Sequence, residues 1–360
     1  MLDDAAVLHG RQTKWKYVTI LILLAAMAAG MEWHLAHGEE FMYVGDELCL
    51  EGEWRVSGCS PETEAIALGE ELYFADGATV TVLEVPQNAG YTLEAEQNVE
   101  LVAGGGIFAY TPGAKQLYML GPQGSKTLNM PGRCDSVAAG ESSFAVITAG
   151  SGFLTRTDIF SMDGELTGRI GKKNSAMVRC AFFGENLAAL CYDTNGQWHL
   201  EAYSCQGAPE WEILLETDIC YDLVNVGRNL AVWTEDALLF FDKNGSSAGS
   251  QLLGSGEIVA WATGEKDYLA LVICSRGAYT LKTFSGTGKL LGEAELPMEI
   301  RDLEVSGSNI CLLDFESLRV YDAFCQLQSV SEDGARAVSI AADGKGLWML
   351  GDGEMMYLDS

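Results

Sequence analysis

Four carboxylates and one guanidinium recur at one place in a repeated sequence unit. The unit occurs eight times, and in each copy its first predicted strand ends at a fixed residue, Gly in seven copies and Asp in the eighth. The five charged residues each lie five positions before that residue. The eight positions are Glu64, Val99, Asp135, Arg179, Asp222, Val259, Asp302 and Val338. If these side chains converge, they would bind a cation or an amine-bearing ligand, and mutual repulsion would raise the pKa of some carboxylates. The alternative is structural, because Asp at such positions caps a loop entering a strand or pairs neighbouring repeats.

An enzyme built on this set would use Asp135, Asp222 or Asp302 as acid and base, as a glycan hydrolase or lyase does. The sequence contains few residues that would fit other known catalytic arrangements. His199 is the one clear histidine of the repeat region, and no Gly-x-Ser-x-Gly elbow accompanies it. A serine triad is therefore not expected.

Two patterns resemble metal sites, and both are interpreted otherwise. His34 and His37 have i, i+3 spacing but precede the repeats, with few acidic neighbours, and are read as part of a linker. The segments Asp193-Thr194-Asn195-Gly196 and Asp242-Lys243-Asn244-Gly245 begin like calcium loops but lack the later acidic ligand, which favours turns. No metal is expected.

The elements that would position the recurring charges are eight copies of a strand unit between about residues 62 and 360. The copies end their first strands at Gly69, Gly104, Gly140, Gly184, Gly227, Gly264, Gly307 and Asp343, which we call the anchors. Each anchor precedes a run without alternation, such as residues 144–147 or 310–313, which indicates a strand covered on both faces. Several third strands end in turns closed by Gly, such as residues 241–245. A period near 40 residues without helical periodicity predicts four-stranded propeller blades.

The sequence therefore predicts an all-β fold, a β-propeller of eight four-stranded blades. Seven blades stay open as an alternative, because the first copy is irregular at residues 77–91. The eighth copy stops after its third strand, and residues 47–56 are the predicted donor of the missing outer strand. This strand would close the ring and protect an exposed sheet edge.

The last copy, AVSIAADGKGLWMLGDGEMMYLDS, resembles bacterial propellers with YVTN-type and pyrroloquinoline-quinone-like repeats, within the broader WD40-like group. The likeness spans roughly residues 45–360, and its layout is similar to that of membrane-anchored propellers of Gram-positive envelopes. It implies the fold and not a function. A quinone-dependent dehydrogenase would be the natural enzyme of such a fold, but the adjacent cysteine pair and the repeated tryptophan docking motif of those enzymes are missing. No cofactor is expected.

The region before the repeats is predicted to cross or enter a membrane. Residues 1–16 form a basic lead, residues 17–33 a transmembrane helix or a signal peptide, and residues 34–46 a juxtamembrane linker. By the positive-inside rule the lead stays in the cytoplasm and the propeller, residues 47–360, lies on the extracytoplasmic side.

Two outcomes for this leader stay open. Its uncharged stretch of about 15 residues spans only about 22 Å, which favours a signal peptide cleaved after Ala26-Met27-Ala28 and a secreted domain. Trp15 and Trp33 bracket the stretch as interfacial aromatics do, which favours an uncleaved single-pass anchor.

The ten cysteines include no CxxC pair. If the fourth copy turns at Glu185-Asn186, Cys180 lies directly opposite Cys191 and within bridging reach. Cys49 and Cys59 are a second candidate pair. The alternative is that the thiols act as small buried apolar groups.

The charge balance excludes one class of partner. The charges of residues 1–32 cancel, so the rest of the chain carries the whole net charge of −29 and repels nucleic acid and anionic membrane surfaces. We therefore expect a non-catalytic, membrane-tethered propeller that binds a protein or an envelope component through a loop-rich face. The alternative is a carboxylate-dependent glycan hydrolase or lyase at the mouth of the channel.

Overall fold

The structure is a computed structural model, and its described part belongs to the unit Gly45–Ser360. It describes residues 48–50, 52–53, 55–56, 64–69, 71–84, 89–149, 152–254, 256–264, 267–343 and 345–359. The predicted lead, membrane segment and linker, with His34 and His37, lie outside the described residues, as does Cys59. Among the residues that are described, no helix combines the length and the apolarity that crossing a membrane requires.

Eight four-stranded antiparallel sheets form a ring, which confirms the prediction of an eight-bladed all-β propeller. The strand nearest the channel in blades 1 to 8 is β2 (Glu64–Leu68), β6 (Glu100–Ala103), β10 (Cys134–Ala139), β14 (Ser175–Phe183), β18 (Cys220–Val226), β22 (Glu257–Thr263), β26 (Ile300–Ser306) and β30 (Ala337–Ala342). The second strands are β3 (Glu71–Asp76), β7 (Ile107–Tyr110), β11 (Ser143–Ala149), β15 (Asn186–Asp193), β19 (Asn229–Thr234), β23 (Tyr268–Ser275), β27 (Asn309–Asp314) and β31 (Gly346–Gly351).

Two more strands complete each blade. The third strands are β4 (Thr79–Glu84), β8 (Gln116–Gly121), β12 (Thr155–Ser161), β16 (Trp198–Ser204), β20 (Ala237–Phe241), β24 (Ala278–Ser285), β28 (Leu318–Tyr321) and β32 (Glu354–Asp359). The outer strands of blades 1 to 7 are β5 (Ala89–Glu94), β9 (Gly124–Asn129), β13 (Leu166–Lys172), β17 (Pro209–Leu215), β21 (Ser247–Leu252), β25 (Leu290–Leu296) and β29 (Leu327–Ser331). A 3₁₀ turn, Glu332–Arg336, connects blades 7 and 8.

The outer strand of blade 8 comes from the other end of the described chain. β1 (Arg55–Val56) pairs antiparallel with β32, with Arg55 opposite Met355. The Cys49 amide also donates to the Asp359 carbonyl at 2.9 Å, and Leu48 is buried in the core cluster between blades 7 and 8. Closure of the ring by an N-terminal strand is thus confirmed, and the first copy is a regular blade rather than an irregular lead-in.

The hydrophobic core consists of separate clusters between neighbouring blades. The second strands supply most of it, and every residue of β7, β27 and β31 is buried. One cluster, for example, joins Ile147 and Ile159 of blade 3 to Leu187 and Ala189 of blade 4. This burial on both faces explains why these runs lack the alternation of a half-exposed strand.

A repeated contact also joins the outer parts of adjacent blades. A side chain near the edge of one blade donates to a carbonyl in the turn that precedes the outer strand of the next. The five donor and acceptor pairs are Lys126 Nζ to Asp163 O, Thr167 Oγ1 to Cys205 O, Trp211 Nε1 to Lys243 O, Gln251 Nε2 to Gly288 O and Thr283 Oγ1 to Ala323 O. These bonds connect blades 2 to 7 in series and satisfy turn carbonyls.

The predicted register around Cys180 is wrong. The first hairpin of blade 4 turns at Gly184 and Glu185, with Phe183 opposite Asn186, so Cys180 faces Ala189. Cys191 instead faces Met177, and both thiols are free in this structure. The turn lies one residue earlier than predicted, at Gly184-Glu185 instead of Glu185-Asn186. The partner of Cys180 on β15 is therefore Ala189, two residues before Cys191. The thiol of Cys49 is also free.

Candidate functional site

The candidate site is the end of the channel at which the inner strands begin. In six consecutive blades, 3 to 8, the inner strand carries a β-bulge there, with one residue left out of the pairing. The unpaired residues are Asp135, Val178, Tyr221, Val259, Arg301 and Val338. All but Val338 are exposed. Because a bulge redirects a side chain that a regular strand would aim at its neighbours, this end displays a ring of side chains. We call it the bulge face.

The sequence-predicted set mixes two structural positions. Asp135, Val259 and Val338 are bulged residues, whereas Arg179, Asp222 and Asp302 each follow a bulge by one residue. The reason is that the number of residues between the bulge and the anchor differs by one between these two groups of blades. Glu64 begins β2 and Val99 precedes β6, in two blades whose inner strands pair without a bulge.

The structure brings one predicted pair together. Arg179 Nε lies 4.0 Å from Asp222 Oδ1, and both side chains are partly exposed. The Leu223 amide also donates to Asp222 Oδ1 at 2.8 Å. Burial raises the pKa of Asp222, and the amide and the guanidinium act against this rise. The pair joins blades 4 and 5 at the bulge face.

Asp302 has a different role, because backbone and hydroxyl donors satisfy both of its oxygens. Its Oδ1 accepts from the Leu303 amide, and its Oδ2 accepts from Ser339 Oγ and the Ile340 amide, each at 2.9 Å. The last two bonds cross from blade 7 to blade 8, so Asp302 pairs neighbouring blades. Two residues further, burial and the nearby Asp302 raise the pKa of Glu304 to about 8.

The sequence reasoning missed the aromatic side chains of this face. Tyr221 is 50% exposed and lies with its ring centre 5.5 Å from that of Trp233. The Arg301 guanidinium lies 4.4 Å from the centre of the exposed Phe315 ring. An alignment on the apolar residue before each bulge, rather than on the anchors, would have shown that exposed side chains follow it. Those residues are Cys134, Met177, Cys220, Ile258, Ile300 and Ala337.

Towards the opposite end of the channel, where the anchors Gly104, Gly140, Gly184 and Gly227 lie, there is a cavity of about 630 Å³. Its walls are mainly small and apolar, with Val137, Ala181, Val224 and a partly exposed Trp261 among them. Glu141 is the only charged side chain among the described residues that line it. The cavity therefore combines small apolar side chains with the polar Asn225 and Thr263 and one carboxylate.

The two calcium-like segments are turns in the structure. Asp193 Oδ1 accepts from the amides of Asn195 and Gln197, and Asp242 Oδ1 accepts from those of Asn244 and Ser246. These amide donors lower the pKa of Asp193 and Asp242. Across the described part of the chain, no three His, Cys, Asp or Glu side chains are grouped as metal ligands would be.

His199 lies in the third strand of blade 4, between two carboxylates. Its Nδ1 is 2.8 Å from Glu212 Oε1 and its Nε2 is 3.6 Å from Asp193 Oδ2. The side chain is mostly buried in the blade and does not face the channel mouth with the bulged residues. Both ring nitrogens therefore lie beside carboxylates of the same blade rather than at the channel mouth.

The fold is similar to several solved propellers. BamB from Moraxella catarrhalis matches with a TM-score of 0.55 at 14% identity over 88% of this chain and 98% of that one. Sqt1 from Saccharomyces cerevisiae matches with 0.58 at 11% identity over 87% and 98%, and apo AztD from Citrobacter koseri with 0.57 at 12% over 78% and 88%. No protein-family model and no curated protein sequence matches the chain. At these identities the likeness defines the class as a β-propeller and nothing finer.

Proposed function

We propose that this protein is a non-catalytic binding module that holds a protein or an envelope component on its bulge face. The observation that carries the proposal is the run of six inner-strand bulges. A regular propeller needs none of them to fold, since blades 1 and 2 pair without one. In blades 3 to 7 they expose Asp, Val, Tyr, Val and Arg side chains, one in each blade, around the channel mouth. Tyr and Arg are among the residues that contribute most to protein interfaces.

The carboxylate geometry favours binding over hydrolysis. A glycan hydrolase needs two carboxyl groups about 5 to 10 Å apart that are free to act as acid and base. Asp302 is held by donors from two blades, Asp222 lies beside Arg179, and Asp135 projects from a bulge in blade 3. The channel cavity lies towards the other end, and Glu141 is the only charged side chain among the described residues that line it, so the arrangement supports recognition better than acid and base catalysis.

The proposal includes a membrane tether. The basic lead at residues 1–16 and the uncharged stretch that follows support an anchor with the propeller on the extracytoplasmic side. A tethered propeller of this charge would meet proteins and glycans of the envelope rather than nucleic acid.

Site-specific photo-crosslinking in cells tests the binding face. A photoreactive residue in place of Val259, on the bulge face, should capture one defined partner from the envelope. The same residue in place of Leu290 is the control, because outer strands begin at the opposite face and Leu290 is 41% exposed there. Tyr221→Ser should abolish capture at position 259.

Equal capture from both faces, or none from position 259, would contradict the proposal.

Release of glycan fragments in the same cells tests the enzyme alternative. Release of envelope glycan fragments by the wild type, but not by Asp135→Asn with Asp222→Asn, would favour hydrolysis.

A further inference from the structure

Blades 4 and 5 carry two aromatic pairs on the bulge face, and five exposed carboxylates lie in these blades, in the loops that flank them and at the start of blade 6. We propose that this sector binds a polypeptide segment rich in Arg and Lys. The inference rests on the proposed function, and it adds the chemistry of the partner and the place where it docks.

The aromatic pairs have the same construction in both blades. On the bulge face of blade 4, the ring centres of Tyr192 and Trp198 lie 4.9 Å apart. On the same face of blade 5, those of Tyr221 and Trp233 lie 5.5 Å apart. In each pair the Tyr is exposed and the Trp is partly buried. A Trp held by the blade gives a rigid platform, and the Tyr beside it adds contact area at low entropic cost. We call these four residues the aromatic row.

Hydrogen bonds join the two pairs into one surface. Trp198 Nε1 donates to the Asp218 carbonyl at 3.1 Å, which ties the first pair to the loop between blades 4 and 5. In the same loop the Ile219 carbonyl accepts from the Glu235 amide at 3.1 Å, two residues after Trp233. The row is therefore continuous across the blade junction, and the exposed Ile219 side chain adds an apolar contact between the pairs.

The charges around the row are mainly negative, although the exposed Lys173 lies in the loop that enters blade 4. Exposed carboxylates occupy the loops that border it, at Glu216, Asp218, Glu235, Asp236 and Glu257. Within the described residues, none of these five takes part in an ion pair. Arg179 is the only cation on the inner strands of these two blades, and it lies beside Asp222.

This combination selects a cationic partner. Arg and Lys side chains bind the faces of Trp and Tyr through cation–π attraction and form charge-assisted hydrogen bonds with carboxylates. A neutral glycan would stack on the same rings but would gain little from five carboxylates. A second copy of this chain is disfavoured by its net charge of −29.

Titration of the full-length protein with a defined peptide tests the inference. The probe is a synthetic peptide of about 12 residues in which Arg and Gly alternate, followed by tryptophan fluorescence and calorimetry at about 50 and about 300 mM NaCl. Replacing Asp218→Asn, Glu235→Gln and Asp236→Asn together should weaken binding by about tenfold or more. Tyr221→Ala should weaken it by about threefold to tenfold and leave its salt dependence unchanged.

The control variant carries the same change of charge on the opposite face, as Asp163→Asn, Glu165→Gln and Glu185→Gln, three exposed residues. Its affinity for the peptide should stay within about twofold of the wild type. Equal weakening by both triple variants would show diffuse attraction to an acidic domain and would overturn the inference. So would binding of a chitin trisaccharide in place of the Arg peptide.

The crosslinking experiment separates this inference from the proposed function. If the peptide does not bind but capture at position 259 still depends on Tyr221, the bulge face remains a binding surface and only the cationic partner is excluded. If capture also fails, the proposed function fails with it.

Discussion

Glu304 shows how one partly buried carboxyl couples the stability of an inner strand to pH. It lies in the inner strand of blade 7, opposite Cys311 and two residues after Asp302. Burial and the Asp302 charge raise its pKa to about 8, so the folded protein keeps this proton at neutral pH. In the unfolded chain the group titrates near pH 4.3. Between these two pH values the folded state binds a proton that the unfolded state has lost, so stability falls as pH rises through the interval.

Glu304→Gln should remove this pH dependence while keeping the shape of the side chain. We expect the variant to match the wild type near pH 4 and to exceed its free energy of unfolding by about 2–4 kcal/mol near pH 8.5. Denaturant unfolding at several pH values measures the difference. Glu165→Gln, on an exposed turn, is the control, and parallel curves for Glu304→Gln and wild type would show that Glu304 is not the cause.

In three blades the turn before the outer strand packs closely against the preceding blade, and a glycine makes this close approach possible. A Cβ at Gly292, in the outer strand of blade 6, would lie 2.2 Å from the carbonyl group of Phe324 in the turn of blade 7. Gly168 and Gly249 meet the turns of blades 4 and 6 in the same way. At these positions the outer strands contain glycine, which has a low strand propensity, because a larger residue would not allow the blades to pack closely.

Gly292→Ala should therefore destabilise the protein although alanine normally suits a strand better than glycine. Because backbone rather than a flexible side chain must move, we expect a loss of about 2–4 kcal/mol in the free energy of unfolding. Gly106→Ala is the matched control, since its Cβ would meet nothing closer than Met162 Sδ at 4.0 Å. Thermal unfolding of the two variants decides the matter, and equal melting temperatures would argue against this close packing.

The sequence repeat made it possible to predict the blades, but it did not predict the bulges. The apolar second strands and the turn glycines follow from burial on both faces and from positive φ, as at Gly245 with φ of 79°, so they appear in the sequence at nearly constant spacing. A bulge needs no particular residue type, and Asp135, Tyr221 and Arg301 occupy the same structural position. Counting from the anchors therefore missed it, and the same one-residue uncertainty moved the register of Cys180 relative to Cys191.

At the scale of the whole molecule, stability depends on how a ring closes. Seven blades take all four strands from consecutive sequence, and only blade 8 borrows its outer strand from the other end of the domain. That strand is short, two residues in β1, but the segment before it adds the Cys49 to Asp359 hydrogen bond and the buried Leu48 side chain. Without this segment β32 would be an exposed edge, and the core cluster between blades 7 and 8 would lose part of its cover.

Truncation should locate this closure. Removing residues 1–44 leaves the described segment intact, and we expect its melting temperature to match that of the propeller in the full-length chain. Removing residues 1–56 deletes Leu48, Cys49 and β1, which should lower the melting temperature by about 5 °C or more and make β32 accessible to amide exchange. Calorimetry and hydrogen exchange measure both effects. If the two truncations melt together and protect β32 equally, the inner-strand contact between β2 and β30 closes the ring without help from the N-terminal strand.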